Sequence, residues 1–227
     1  MTAEAVAERL AQIRRRVEAA CARAARPAGA VELLAVSKLQ PEGLVREAYA
    51  AGQRAFGENY AQELRDKAEH LADLPGLRWH AIGPLQTNKA KYVARAAFAF
   101  HALDRVDVAR ELSRRRTGEA LRCYLQVNAG GEESKSGVEP GQVAALLEQV
   151  RGLPGLAVEG LMCLPPLATK PEDARPHFRM LRDLARRLGL PGLSMGTTSD
   201  FEVAIDEGAT VVRVGTAIFG ERAPGPA

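Results

Sequence analysis

No stretch of the sequence approaches the roughly 18 apolar residues of a membrane span, so a helical membrane protein is excluded. The opening MTAEAVAERLAQIRRRVEAA is charged and amphipathic, unlike a secretory signal. Cysteine is rare. Cys21, Cys123 and Cys163 are widely spaced, there is no C-x-x-C, and the four histidines form no ligand pair at helical spacing. No metal centre is therefore expected. The odd cysteine count fits a reducing compartment and three plain buried thiols. The formal charge of +3 is too small to argue for a nucleic-acid partner. Lysine is scarce, six against 25 arginines, so each lysine in an unusual setting stands out. No linker, low-complexity tract or internal repeat interrupts the chain.

What remains is an ordinary globular composition, 46% hydrophobic and 26% charged over 227 residues. The expectation is a soluble, cytoplasmic protein with no membrane partner, as a monomer or weak homodimer. Residues 3–25 repeat apolar positions at helical spacing (Val6, Leu10, Ile13, Val17) and stop at Pro27 and Gly29. Eight short apolar runs follow, predicted as strands over 31–38, 54–57, 77–83, 98–104, 121–128, 156–164, 193–196 and 210–215. Helical patterns separate them. Strict βα alternation implies parallel strands joined by right-handed crossovers. Eight units predict a closed (β/α)8 barrel of the TIM type, an α/β fold, with an extra N-terminal helix. The chain reads as one domain, 1–227, with the helix of 1–26 packed on the barrel. An open doubly wound sheet is the runner-up, but the first turn, SKLQPEG, holds no G-x-G-x-x-G.

Active sites of such barrels lie at the C-terminal ends of the strands. Three features stand out there. Lys38 closes an apolar run, and a desolvated lysine is able to attack a carbonyl, as a Schiff base requires. A lysine that merely reaches past the strand into solvent is the plain alternative. The loops after strands seven and eight offer Thr197-Thr198-Ser199 and Gly215-Thr216, in the place where phosphate sites are often built. Helix capping by Ser199 or Asp200 is the plain reading of the former. Arg213 sits within TVVRVG, where a buried guanidinium must find an acceptor: a salt-bridge partner, or a ligand's ring nitrogen or carboxylate. Together the three specify a ligand with an aldehyde, a phosphate and a hydrogen-bond acceptor. Pyridoxal 5′-phosphate (PLP) fits. A sugar-phosphate aldolase would share two of the features without needing the arginine.

Along LLAVSK (33–38), FGENYAQEL (56–64), WHAIGPLQTNK (79–89), QVN (126–128), ESKSG (133–137), GLMCLPP (160–166), LSMG…SDFEVAI (193–205) and VRVGTAIFG (212–220), the chain resembles the pyridoxal phosphate homeostasis proteins. The segments run in order over nearly the whole length. The resemblance implies a barrel like the N-terminal domain of bacterial alanine racemases, with PLP on Lys38. It places Ser194, Thr198, Gly215 and Thr216 in the phosphate motifs, Arg213 beside the pyridine nitrogen, and Asn59 and His80 near the cofactor. The family usually reads SMGMS before the seventh helix; here SMGTTSD keeps a hydroxyl at Thr198 and replaces the methionine by Thr197. Glu58 is left between facing the cofactor and bracing Lys38. Lys135 falls in a loop that could approach the cofactor. His101 and Trp79 read as packing residues.

The resemblance implies a carrier that buffers PLP on a lysine, with apo PLP-dependent enzymes as recipients and no robust catalysis of its own. A racemase-like PLP enzyme is the alternative. An arginine at the pyridine nitrogen does not surrender its proton, which leaves the ring a weaker electron sink. A two-base racemase also needs an acid/base group on each face. With only a few residues after strand eight, the sequence is expected to lack a second domain to supply one.

Overall fold

The computed structural model describes residues 3–131, 136–166 and 169–221. Seventeen elements alternate along them. In chain order they are α1 (Ala3–Arg23), β1 (Glu32–Val36), α2 (Glu42–Ala50), β2 (Ala55–Glu58), α3 (Ala61–His70), β3 (Arg78–Ala81), α4 (Ala90–Ala96) and β4 (Ala99–Leu103). There follow α5 (Val106–Arg115), β5 (Leu121–Val127), α6 (Val143–Arg151), β6 (Leu156–Cys163), α7 (Arg175–Leu188), β7 (Gly192–Ser194), α8 (Phe201–Asp206), β8 (Val211–Val214) and α9 (Thr216–Phe219). The strands are all parallel and form one closed barrel in sequence order. β8 closes it on β1, with Leu33 opposite Val212 and Leu34 opposite Arg213. The predicted barrel is therefore the observed one, each strand core lying where its apolar run placed it. β1 ends at Val36, not at residue 38, because Ser37–Gln40 leave the sheet as a turn closed by Gln40 N–H donating to Ser37 O.

Each strand is nearly continuous in apolar residues because both of its faces are covered. Phe56, Phe100, Leu103 and Val212 are fully buried. At the strands' N-terminal ends, Arg78–Glu32 (2.7 Å) and Arg122–Glu159 (3.5 Å) form ion pairs, and both arginines lie over the Phe98 ring. The helix after β8 is a single turn, too short to cover the closing seam. α1 supplies that cover, burying Val6, Leu10, Ile13, Val17 and Ala20 and packing against α2, α8 and α9. Among the described residues no helix is long and apolar enough to cross a membrane.

Tyr124 on β5 turns its ring toward β7, and room for it comes from a missing side chain. A Cβ on Gly192 would lie 2.8 Å from Tyr124 Cε1, and one on Gly160 would collide with the Gly192 backbone. Gly160→Ala is expected to cost about 1–3 kcal/mol through overpacking. Gly152 has nothing within 4 Å of a built Cβ and a right-handed helical conformation. Gly152→Ala is expected to be neutral or to stabilise by about 0.4–1 kcal/mol. Thermal melts of the two variants check the pair, and equal effects would contradict this packing.

Candidate functional site

A cavity of about 860 Å³ opens among the C-terminal ends of the strands. Six of the eight residues singled out from the sequence line it: Lys38, Asn59, Thr198, Arg213, Gly215 and Thr216. The other two, His80 and Ser194, lie on other strands, buried and off the cavity wall. Gln40, Gln126 and Asn128 add amides to the wall, and Ile82, Pro84 and Leu164 add apolar surface. Among the described residues on this wall, Lys38 and Arg213 are the only ionisable side chains.

Arg213 is 5% exposed, and burial lowers its pKa from the usual guanidinium value. Three of its bonds go into the barrel. Nη1 donates to Ser194 O and to Ser194 Oγ, both at 2.6 Å, and Nη2 donates to Cys163 O at 2.9 Å. A guanidinium has no acceptor, so Ser194 Oγ accepts from Arg213. The same oxygen is hydrogen-bonded to His101 Nδ1 at 2.8 Å. His101 Nε2 and His80 Nδ1 share the next hydrogen bond, at 2.9 Å, one ring donating and the other accepting. His80 Nε2 is buried and has no partner among the described residues. His101 also stacks on Tyr124, ring centroids 4.5 Å apart. Burial drives the His80 pKa down to about 3 and that of His101 well below its ordinary value, so both rings are neutral.

At the opposite edge, Asp200 precedes α8 and accepts from Thr197 N–H (2.6 Å) and Thr197 Oγ1 (3.1 Å). That bond pair occupies Thr197. Among the described residues no hydrogen bond engages the hydroxyls of Thr198 or Thr216, both on the cavity wall. Gly215 reaches φ −115°, ψ −81° at the start of α9, where a Cβ would press to 3.2 Å from Val36 O.

Lys38 lines the cavity from the turn after β1. Beneath that turn lies a charged cluster that the sequence reading missed. Lys67 Nζ donates to Ser37 O (2.7 Å), Glu58 Oε1 (2.9 Å) and Glu63 Oε1 (2.8 Å). Glu58 accepts from Ser37 Oγ at 2.6 Å and does not reach the cavity wall, so it braces the lysine's turn. Burial pushes its carboxyl up to about 7 against the pull of Lys67 and Ser37. One signal was available in the sequence: Lys67 sits three residues after Leu64 and four before Leu71, on the apolar side of α3. Trp79 is core, packed at 5.7 Å on Phe56. The three cysteines are buried and unpaired, and burial raises the Cys123 and Cys163 thiols to about 12. Lys135 lies outside the described residues.

The family model for the alanine racemase N-terminal domain matches residues 9–223. The chain is similar to a pyridoxal phosphate homeostasis protein of Aquifex aeolicus, 46% identical over 223 residues, covering 95% of this chain and 97% of that one. A pyridoxal phosphate homeostasis protein of Pseudomonas aeruginosa is 47% identical over 221 residues, covering 96% of each. Among solved structures, PipY of Synechococcus elongatus with PLP bound superposes with a TM-score of 0.80 at 36% identity, over 95% of this chain and 100% of that one.

The neutral histidines have a consequence for acid stability. An unfolded histidine charges near pH 6.5, whereas His80 in the folded chain stays neutral down to about 3. Below pH 6.5 the unfolded state therefore binds more protons, and stability falls as pH falls, by about 1.4 kcal/mol per pH unit for each such ring. Glu58 acts in the opposite sense, its contribution being lost as pH rises through about 7. In denaturant melts between pH 5.5 and 4, His101→Gln is expected to reduce the slope of stability against pH by about 1.4 kcal/mol per unit. An unchanged slope would mean that His101 is charged in the folded protein.

Proposed function

The chain belongs to the pyridoxal phosphate homeostasis protein family, within the alanine racemase N-terminal domain fold, and on that premise we propose that it binds PLP on Lys38 and holds it as an intracellular reserve. One observation carries the reading: a single cavity brings together a lysine, a buried guanidinium and an edge of unengaged hydroxyls beside glycine. That donor set fits the group. Two cations and no described carboxylate on the wall suit a phosphate dianion. When bound, PLP supplies an aldehyde that condenses reversibly with a primary amine and a ring that withdraws electrons.

Lys38 is the amine in this reading. Thr198 and Thr216 donate to phosphate oxygens, and Gly215 lets the backbone come close to them. Arg213, fixed from behind by the barrel, donates to the ring nitrogen and keeps its own protons because a guanidinium is too weak an acid to give one up. Asn59 lies on the wall near the same ligand, whereas Ser194 and His80 act through Arg213. The domain is taken as 1–227, with 1–26 as the covering helix, and the setting as the cytoplasm.

A carrier is favoured over a racemase-like enzyme. Acid–base chemistry on both faces of the ring needs two proton-transfer groups, and apart from Lys38 the described wall offers only an arginine. The recipients of the reserve are apo PLP-dependent enzymes in this reading.

Incubation with PLP, borohydride reduction and peptide mapping are expected to place the label on Lys38, and a label elsewhere would overturn the site. Thr198→Ala and Thr216→Val are each expected to weaken PLP binding about ten- to a hundredfold, the loss of one charge-assisted hydrogen bond. Pyridoxal, without the phosphate, is expected to be insensitive to both. With PLP bound, racemisation of alanine is expected not to exceed that of free PLP; saturable turnover abolished by Lys38→Ala would make the protein an enzyme.

A further inference from the structure

Leu39, next to Lys38, has φ +57°. Left-handed backbone is disfavoured for a residue with a branched side chain and is usually left to glycine or asparagine. Only one other non-glycine residue among those described shares it, Ala25, just beyond the end of α1, where a left-handed residue often stops a helix. Leu39 has no such excuse. It is the third residue of the Ser37–Gln40 turn, and its side chain is 54% exposed, so packing does not hold it there.

Hydrogen bonds hold it instead. Leu39 N–H donates to Glu63 Oε1 at 2.6 Å, and Lys67 Nζ donates to Ser37 O at 2.7 Å. These two main-chain contacts of the Lys67–Glu63–Glu58 cluster fall on the residues immediately before and after Lys38. Lys67 is 4% exposed and Glu58 1%. Buried charge of this kind is a weak source of stability, because desolvation opposes the attraction. Glu58 and Glu63 each keep an Oε2 that is buried and unpartnered among the described residues, so the cluster is not optimised for its own sake. What it does secure is the conformation of one turn.

We propose that Lys67, Glu63 and Glu58 are positioning residues that hold Leu39 in its left-handed conformation and so aim Lys38 into the cavity. The inference rests on the reading of Lys38 as the attachment lysine. Functional sites are where strained backbone persists when its surroundings over-determine it. Here two side chains from α3 and one from β2 do so, while the strain sits on an exposed residue that contributes little to the core.

The test uses the full chain with limiting PLP, borohydride trapping and mass spectrometry of the Lys38 peptide. Glu63→Gln is expected to slow Lys38 labelling roughly tenfold, the loss of a charge-assisted bond. In the chain without PLP it is expected to speed hydrogen exchange at the Leu39 amide. Leu39→Val, a β-branched residue at positive φ, is expected to slow labelling similarly, and because the side chain is exposed any fall in melting temperature reflects backbone strain and not lost packing. Leu39→Gly placed on Glu63→Gln is expected to recover most of the labelling, because glycine takes this φ without penalty. A general structural role for Glu63 predicts no such rescue. Should Lys67→Met fail to fold, the Leu39 and Glu63 variants decide. Parent-like labelling by Leu39→Val and Glu63→Gln, or no rescue by glycine, would overturn the positioning role. Absence of Lys38 labelling in the parent would overturn the PLP reading, and this inference with it.

Discussion

A guanidinium has only protons to give, and Arg213, though it touches the cavity, gives three hydrogen bonds into the barrel behind it. Every group facing it from within is consequently an acceptor: two carbonyls and the hydroxyl of Ser194. The hydroxyl joins Arg213 to His101, and His101 joins it to His80, in one buried hydrogen-bonded row. Neither ring can take up a proton cheaply at such depth, and Tyr124, admitted by Gly192, covers His101. Behind the cavity wall there is thus a row of neutral hydrogen-bonding groups ending in one cation.

Lys38 reaches the same cavity by different means. Arg213 is placed by strand register, opposite Leu34 across the closing pair of strands. Lys38 lies beyond the end of its strand, where register no longer determines direction. A turn must then aim the side chain, and turns depend on particular bonds more than sheets do. The charged cluster under Ser37 and Leu39 supplies them. One cation of the site is held by the barrel and the other is steered by a neighbouring helix.

Much of this was legible in the sequence because it depends on local pattern. The eight apolar runs gave the strands and the alternation gave the barrel. A lysine at the end of one run and an arginine inside another announced themselves against aliphatic neighbours. The remainder depends on juxtapositions that no single segment reveals. Ser194, His101 and His80 stand on three different strands, and only closure of the barrel joins them. Thr197 is set apart from Thr198 and Thr216 in the sequence, but that Asp200 occupies it shows only in the structure. Lys67 stands on the apolar side of α3, but what it bonds there is hidden in the sequence, since its partners at 37 and 58 are distant in the chain. Nothing in the leucine at 39 announces a left-handed turn, because the bonds that impose it come from α3.

The cover that α1 gives to the closing seam orders events in time. The strands that close the barrel are the first and the last, pairing residues 32–35 with 211–214. The helices beneath α1 include α8 and α9, which lie far from it along the chain. Until they pack, the apolar stripe of Val6, Leu10, Ile13 and Val17 lacks its shelter, and the edges of β1 and of the growing sheet stay unpaired. Closure across so long a separation is entropically slow. Before β8 pairs with β1 the sheet is therefore an open arc with two bare edges and an uncovered apolar stripe, so the aggregation hazard of this barrel lies before closure.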